Sequence, residues 1–201
     1  VSALAVRFAR VVRDRGRSAP GWDITLLQQA NATAEVRRAR DDGATPAAGS
    51  GCSNDPSRPA VEVFVGDENH PVNDAGGDGH ACFTAVTCLG DRRVQVRSCS
   101  APPALLVGRS GAELVPSTPC SVGGAVVDDE HRLLVLSAAA YETLPRALVV
   151  LLREFPSRFL RTDPVTLLET LFADIPVGSA ALISPIATIT PADRRNPQES
   201  A

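Results

Sequence analysis

The 201-residue chain has no lysine and no methionine, and only one tryptophan and one tyrosine. All of its side-chain positive charge other than histidine is therefore arginine. Together with abundant Ala, Arg, Gly and Val, this is the composition of a GC-rich coding sequence rather than a functional choice. With no Lys, Gly76-Gly77-Asp78-Gly79 lacks the residue that a phosphate-cradling loop needs, and no helix is expected after it. No apolar run approaches the ~20 residues that span a bilayer, and the early residues Arg7, Arg10 and Arg13 interrupt the apolar pattern that a signal peptide would require. A net charge of -3 and a pI near 5.6 give no general attraction to nucleic acid or to an anionic membrane. The five cysteines, Cys52, Cys82, Cys88, Cys99 and Cys120, form no CxxC pair. That spacing speaks against a zinc site and a disulfide framework, and for reduced thiols in a cytoplasm. Val1 stands either for an alternative start codon or for the cut end of a longer chain.

What is present is a chain of ordinary single-domain size with 44% apolar residues, enough for a core. Val1, Leu4, Ala5, Phe8 and Val12 fall at helical spacing, opposite Arg7, Arg10, Asp14 and Arg17. The spacing predicts an amphipathic helix over 1–17 with a solvated arginine face. Asp23 then offers a cap to a second helix through Ile24, Leu27, Asn31 and Ala34, with Trp22 stapling its start, so 1–40 reads as a helix pair. Residues 41–80 read as a flexible insertion poor in large apolar residues, with a short strand at Val61 to Val65. The loop after that strand gathers Asp67, Glu68, His70, Asp74, Asp78 and His80, acceptors suited to a hard cation but at no calcium-loop spacing.

From Ala81 to Tyr141 short apolar segments alternate with Gly and Pro, the pattern of an antiparallel meander. The segments are Cys82 to Leu89, Arg93 to Arg97, Ala104 to Gly108, Ala112 to Val115 and Arg132 to Leu136. A helix is predicted from Thr143 to Phe155, carrying Leu144, Leu148, Leu151, Leu152 and Phe155. A second is capped by Asp163 with Pro164 at its first position. A buried strand follows at Ala180 to Ile183, and a polar tail occupies 190–201. Residues 81–189 thus hold meander, helix pair and final strand. The class is α+β, a layered sandwich of mostly antiparallel sheet with packed helices.

The order of these parts resembles a SpoIIE/RsbU-like protein phosphatase domain, a bacterial branch of the metal-dependent PPM serine/threonine phosphatases. Phe83-Thr84-Ala85-Val86 is similar to that family's F-x-T-A-x strand. Pro102-Pro103-Ala104-Leu105-Leu106 is similar to the end of N-A-G-H-P-P-P-L-L, and Pro119 to Gly124 falls where a P-L-G loop lies. Arg132 to Leu136 is similar to the strand before T-D-G. The resemblance covers 1–40 and 81–187.

It implies two Mn2+ or Mg2+ ions, held by aspartates, that generate a hydroxide for attack on a phosphoserine. The aspartate and glycine of T-D-G fall on Ala138 and Ala139, and the final D-D or D-N falls on Gly178 and Ser179, so the implied metal positions are Ala138, Gly178 and Ser179. The N-A-G-H tetrad falls on Ser98-Cys99-Ser100-Ala101. The family's first metal aspartate, in G-D-V-S-G-H-G, is expected upstream of Val1. Val65-Gly66-Asp67-Glu68-Asn69-His70 imitates that motif but is one residue short. Only 12 residues separate His70 from Phe83, too few for a helical pair, so Asp67 is expected to match by coincidence.

These replacements lead to the expectation of a non-catalytic, phosphatase-like cytoplasmic domain with no cofactor. Its partner, by the same resemblance, is an anti-sigma-factor antagonist or a second phosphatase-like chain. An active enzyme would instead have to recruit Mn or Mg with Asp67, Asp74, Asp78, Asp128 and Asp129, although Asp128, Asp129 and Glu130 sit in a turn where acids are ordinarily solvated. A truncated piece of a longer phosphatase is the third expectation. A Cys99–His131 nucleophilic pair has no visible support in the sequence.

Overall fold

From Ala9 onward the amino-terminal segment is strand rather than helix. In a computed structural model that describes residues 9–30, 32–38, 61–67, 82–118, 120–144 and 146–186, β1 (Ala9–Arg15) and β2 (Trp22–Gln29) form an antiparallel hairpin. Its turn is closed by Gly16 and Gly21 at φ +71° and +86°, a region where a side chain would be strained. Asp14 accepts from the Arg17 and Ser18 N–H groups at 2.9 and 3.2 Å. The helical spacing of Ile24 and Leu27 misleads for a physical reason. β2 is buried on both faces, with Ile24 and Leu26 in one core cluster and Leu27 in the other, and a doubly buried strand shows no alternation to distinguish it from a helix. Trp22 staples no helix: its Nε1–H donates to the Leu89 carbonyl at 2.9 Å and so ties β2 to the other sheet. The remaining part of the expected helix pair is β3 (Thr33–Arg38).

The other strands are β4 (Val61–Gly66), β5 (Phe83–Cys88), β6 (Arg93–Cys99), β7 (Ala104–Gly108), β8 (Gly111–Val115), β9 (Val122–Val126), β10 (Arg132–Leu136) and β11 (Gly178–Pro185). Among the described residues they make a six-stranded sheet of order β1-β2-β11-β10-β7-β8 and a five-stranded sheet of order β3-β4-β5-β6-β9, with every pairing antiparallel. The described part of 1–40 therefore feeds both sheets, and β4, from within the expected insertion, lies inside the second one. The insertion's calls at 41–60 and 68–80, and the 190–201 tail, lie outside the described residues.

The two sheets bury one cluster between them, which includes Ile24, Val63, Val86, Val96, Leu133 and Ile183. The six-stranded sheet buries its opposite face, through Leu27, Leu134 and Leu182, against the helices. The molecule is thus an α+β layered sandwich, as the element order predicts. The predicted helix Thr143 to Phe155 is realised as α2 (Arg146–Glu154), set off from α1 (Ala138–Thr143) before it and α3 (Pro156–Arg161) after it, and α4 (Pro164–Phe172) follows. Proline explains both breaks. The residue before a proline is pushed out of the helical region, and Leu144, which precedes Pro145, has ψ 115°. Pro156 opens α3 at a position where its missing N–H costs nothing. Among the described residues no helix is long and apolar enough to cross a membrane.

A polar clamp joins sheet to helices. Arg13 donates through Nε and one Nη to Asp23 at 2.9 and 2.5 Å, and through its other Nη to Asp163 at 3.0 Å. Asp163 also caps α4, accepting from the Val165 and Thr166 N–H groups at 3.1 and 3.2 Å. Arg132 donates to the Phe159 and Thr162 carbonyls at the end of α3, at 2.9 and 2.6 Å. The Thr166 N–H holds the Asp163 carboxyl below its usual range, outweighing burial, with Arg13 adding to the effect. A depressed carboxylate stabilises the fold above its unfolded pKa, about 3.9, and that contribution is lost as pH falls through the lower folded value. Asp163→Ala is expected to cost about 1 kcal/mol at neutral pH. Urea unfolding of variant and parent at pH 7 and pH 3 checks this: the gap should narrow at the lower pH, and an unchanged gap would show that the ionised carboxylate is not its source.

Candidate functional site

The ends of three strands meet at one edge of the sandwich. β4 delivers Gly66 and Asp67, β10 delivers Ser137 to the start of α1, and β11 begins with Gly178 and Ser179. Asp67 accepts from the Ala139 N–H with both oxygens, at 3.0 and 3.2 Å. Ser137 is the N-cap of α1. Its buried hydroxyl oxygen accepts from Ala140 N at 3.3 Å and Ser179 N at 3.1 Å, while its own N–H donates to the Ser179 carbonyl at 2.9 Å. The Ser179 hydroxyl, fully buried, donates to the Gly66 carbonyl at 2.9 Å. Ser137 thus links β10 to β11, Ser179 links β11 to β4, and Asp67 links β4 back to α1.

Gly178 has φ +150°, and a Cβ there would sit 2.8 Å from the Ala140 Cβ and 3.2 Å from its Cα. The first turn of α1 therefore occupies the space that a side chain at 178 would need. On the fourth side lies Cys82, whose thiol donates to the Ser100 carbonyl at 2.8 Å and stands 3.9 Å from Asp67 Oδ2. Burial pushes the Cys82 thiol up, and the Asp67 charge adds to that shift. Thr84 Oγ1 donates to the Pro102 carbonyl at 2.8 Å and fixes the turn after β6.

Ala138 and Ala139 at the start of α1 lie beside Gly178 and Ser179 at the start of β11, and Asp67 is brought to them. β4 and β5 are hydrogen-bonded neighbours with Gly66 opposite Phe83, which sets Asp67 at the strand end beside α1. The donor set does not fit a pair of hard cations. Mn2+ or Mg2+ calls for several oxygen ligands, whereas among the described residues this place offers the Asp67 carboxylate, already engaged by a backbone N–H, beside a thiol and alanine methyls. Among the described residues, no three His, Cys, Asp or Glu side chains are grouped so as to hold a metal.

Asp128 and Asp129 do not join Asp67, because they precede β10 while Ala139 follows it. Asp128 accepts from Glu130 N at 2.8 Å and faces His131 Nδ1 at 2.6 Å, and Asp129 pairs with Arg92 at 3.0 Å. The hydrogen bond from His131 holds the Asp128 carboxyl below its usual range, against a smaller opposing effect of burial. His131 is likewise remote from Cys99, which ends β6 at the opposite edge of its sheet from Arg93 and Val126. Asp74, Asp78, Glu68, His70, His80 and Pro119 lie outside the described residues. Ser137, which joins β10 to β11, escaped the sequence reading, and Ser179 entered it only as a residue at an implied metal position. Ser137 followed by three alanines carries an N-cap signal that could have been read.

No protein-family profile matches the chain, and no curated protein matches it. Among solved structures, the crystal structure of the RsbU and RsbW domains of Rv1364c from Mycobacterium tuberculosis aligns at 10% identity with a TM-score of 0.43. The alignment covers 94% of this chain and 58% of that one, an overlay too loose to argue from.

Proposed function

We propose that this chain is a degenerate phosphatase-like domain that binds a protein and does not hydrolyse phosphate esters. One observation carries the reading. The strand ends at which a PPM-type fold would mount its metal acids converge around Asp67, yet the surrounding positions carry Ala138, Ala139, Gly178 and Ser179. Phosphoryl transfer by two metals depends on several carboxylates to hold the ions and lower the pKa of a bound water. One carboxylate spent on a backbone N–H supplies neither function. What persists is the scaffold, and its role is recognition within a phosphorylation-linked regulatory pathway of the anti-sigma partner-switching type. The partner is then an anti-sigma-factor antagonist or a second phosphatase-like chain, a step that rests on the likeness of parts alone.

The test pairs activity with binding. Incubated with p-nitrophenyl phosphate and Mn2+, the pure chain is expected to release product at the rate of buffer, with no response to chelator. Calorimetry with Mn2+ should show no site tighter than about 1 mM. Turnover abolished by chelator would sink the non-catalytic reading. In the second arm, an immobilised anti-sigma-factor antagonist, and separately an active phosphatase of the family, are titrated with the chain. Failure of both to bind at about 100 μM would remove the proposed partners.

A further inference from the structure

We infer that Cys99 and Cys120 form a cross-strand dithiol on the outer face of the five-stranded sheet, a site for reversible disulfide formation with a low-molecular-weight disulfide. This is independent of the proposed function. β6 and β9 pair antiparallel from Arg93 opposite Val126 to Arg97 opposite Val122. The register continues one step further, where Ser98 N donates to the Ser121 carbonyl at 3.3 Å. The next step in register brings Cys120 beside Cys99, with Cys120 in the turn before β9 at φ +52° rather than in the strand. A regular rung at this position would be of the non-hydrogen-bonded kind, with Cα atoms about 4.5 Å apart, inside the window of about 4.4–6.8 Å that a disulfide accepts.

Side-chain direction agrees with the register. Along β6, Val94, Val96 and Ser98 are buried while Gln95, Arg97 and Cys99 are exposed. Exposed Val122 opposes Arg97 on that same outer face. An independent contact locates the second sulfur: Cys120 Sγ accepts from Ser100 N at 3.4 Å. Ser100 N is bonded to the carbonyl carbon of Cys99, so the sulfur lies within about 6 Å of the Cys99 Cα by ordinary bond lengths. Both cysteines are exposed. The neighbouring thiols are poorer competitors. Cys82 is half-buried, engaged with the Ser100 carbonyl and pushed toward its protonated form by burial. Cys88 is buried and pushed up to about 12.

The chemistry balances as two exchanges. The thiolate of one cysteine attacks the small disulfide, forming a mixed disulfide and releasing one small thiolate. The thiolate of the other then attacks the protein-bound sulfur, forming the Cys99–Cys120 bond and releasing the second small thiolate. Two protein thiols are oxidised, the small disulfide is reduced to two thiols, and the two protons pass to the leaving groups. The bond adds a covalent rung beyond the last hydrogen-bonded step between β6 and the edge strand β9.

The full chain, folded and separately in 6 M guanidinium (about the level that unfolds even hyperstable domains), is treated with oxidised glutathione, alkylated and digested with trypsin. In the folded chain, peptide 98–109 joined to 110–132 should exceed every linkage through Cys82 by about tenfold or more, because opposed thiols meet at high effective concentration. That excess should collapse in the denatured chain, and both C99S and C120S should abolish the linked peptide while circular dichroism stays unchanged. Stable glutathione adducts on both cysteines, a dominant linkage to Cys82, a crosslink between two chains, or an equal yield in the denatured chain would each overturn the inference.

Discussion

Gly178→Ala is expected to lower the unfolding free energy by about 3 kcal/mol, the sum of backbone strain at positive φ and overpacking. Two contributions can be separated because the chain supplies its own control. Gly111 has a similar φ of +133°, but a Cβ there meets nothing within 4 Å. Gly111→Ala should therefore cost about 1 kcal/mol, the strain alone. At Gly178 the added methyl meets Ala140 at 2.8 Å, between β11 and α1, neither of which is free to move away. Ala140→Gly placed in the Gly178→Ala background should restore part of the loss. Urea midpoints for the three variants check this, and equal costs at 111 and 178 would refute close packing at the site.

That prediction bears on function. If position 178 is where a phosphatase of the resembled family carries an aspartate, then loss of the acid and closure of its space belong together in this chain. A larger side chain at 178 has no room until α1 retreats. A carboxylate placed there would first cost stability, because the packing of α1 closes the space beside the backbone of residue 178.

How far all this could be read beforehand depended on what kind of signal each segment carries. Strands β5 to β8 and β10 alternate or are bounded by Gly and Pro, and they stand where the sequence placed them. Asp163 with Pro164 announces α4 because cap and first-turn chemistry are local. β2 was misread as a helix because a strand buried on both faces loses its period-two signature, whereas β1 is a largely exposed edge strand with little apolar alternation to read. The place of Asp67 was not legible, since it depends on β4 and β5 being neighbours, which is a long-range pairing. The hydrogen bonds that lock Ser137 and Ser179 are equally non-local, spanning 42 residues from Ser137 to Ser179 and 113 from Ser179 to Gly66.

Phe159→Ala is expected to be the costliest single truncation, at about 4 kcal/mol, while Phe155→Ala should cost no more than about 0.5 kcal/mol, as surface changes generally do. The sequence pattern assigns the roles the other way, with Phe155 on an apolar helix face and Phe159 unremarked. The structure puts Phe155 at the break between α2 and α3, 54% exposed, and Phe159 inside the helical cluster at 0% exposure with Leu134, Leu148, Leu168 and Phe172. Arg132 adds to the cost, because its hydrogen bonds to the Phe159 and Thr162 carbonyls require α3 to stay in place. Removing the ring loosens α3 and leaves a partly buried guanidinium with weaker partners. α3 also touches β7, so the loss reaches the sheet that carries the site. Chemical denaturation of the two alanine variants decides between the assignments: comparable losses at 155 and 159 would mean that the helical layer packs through both rings.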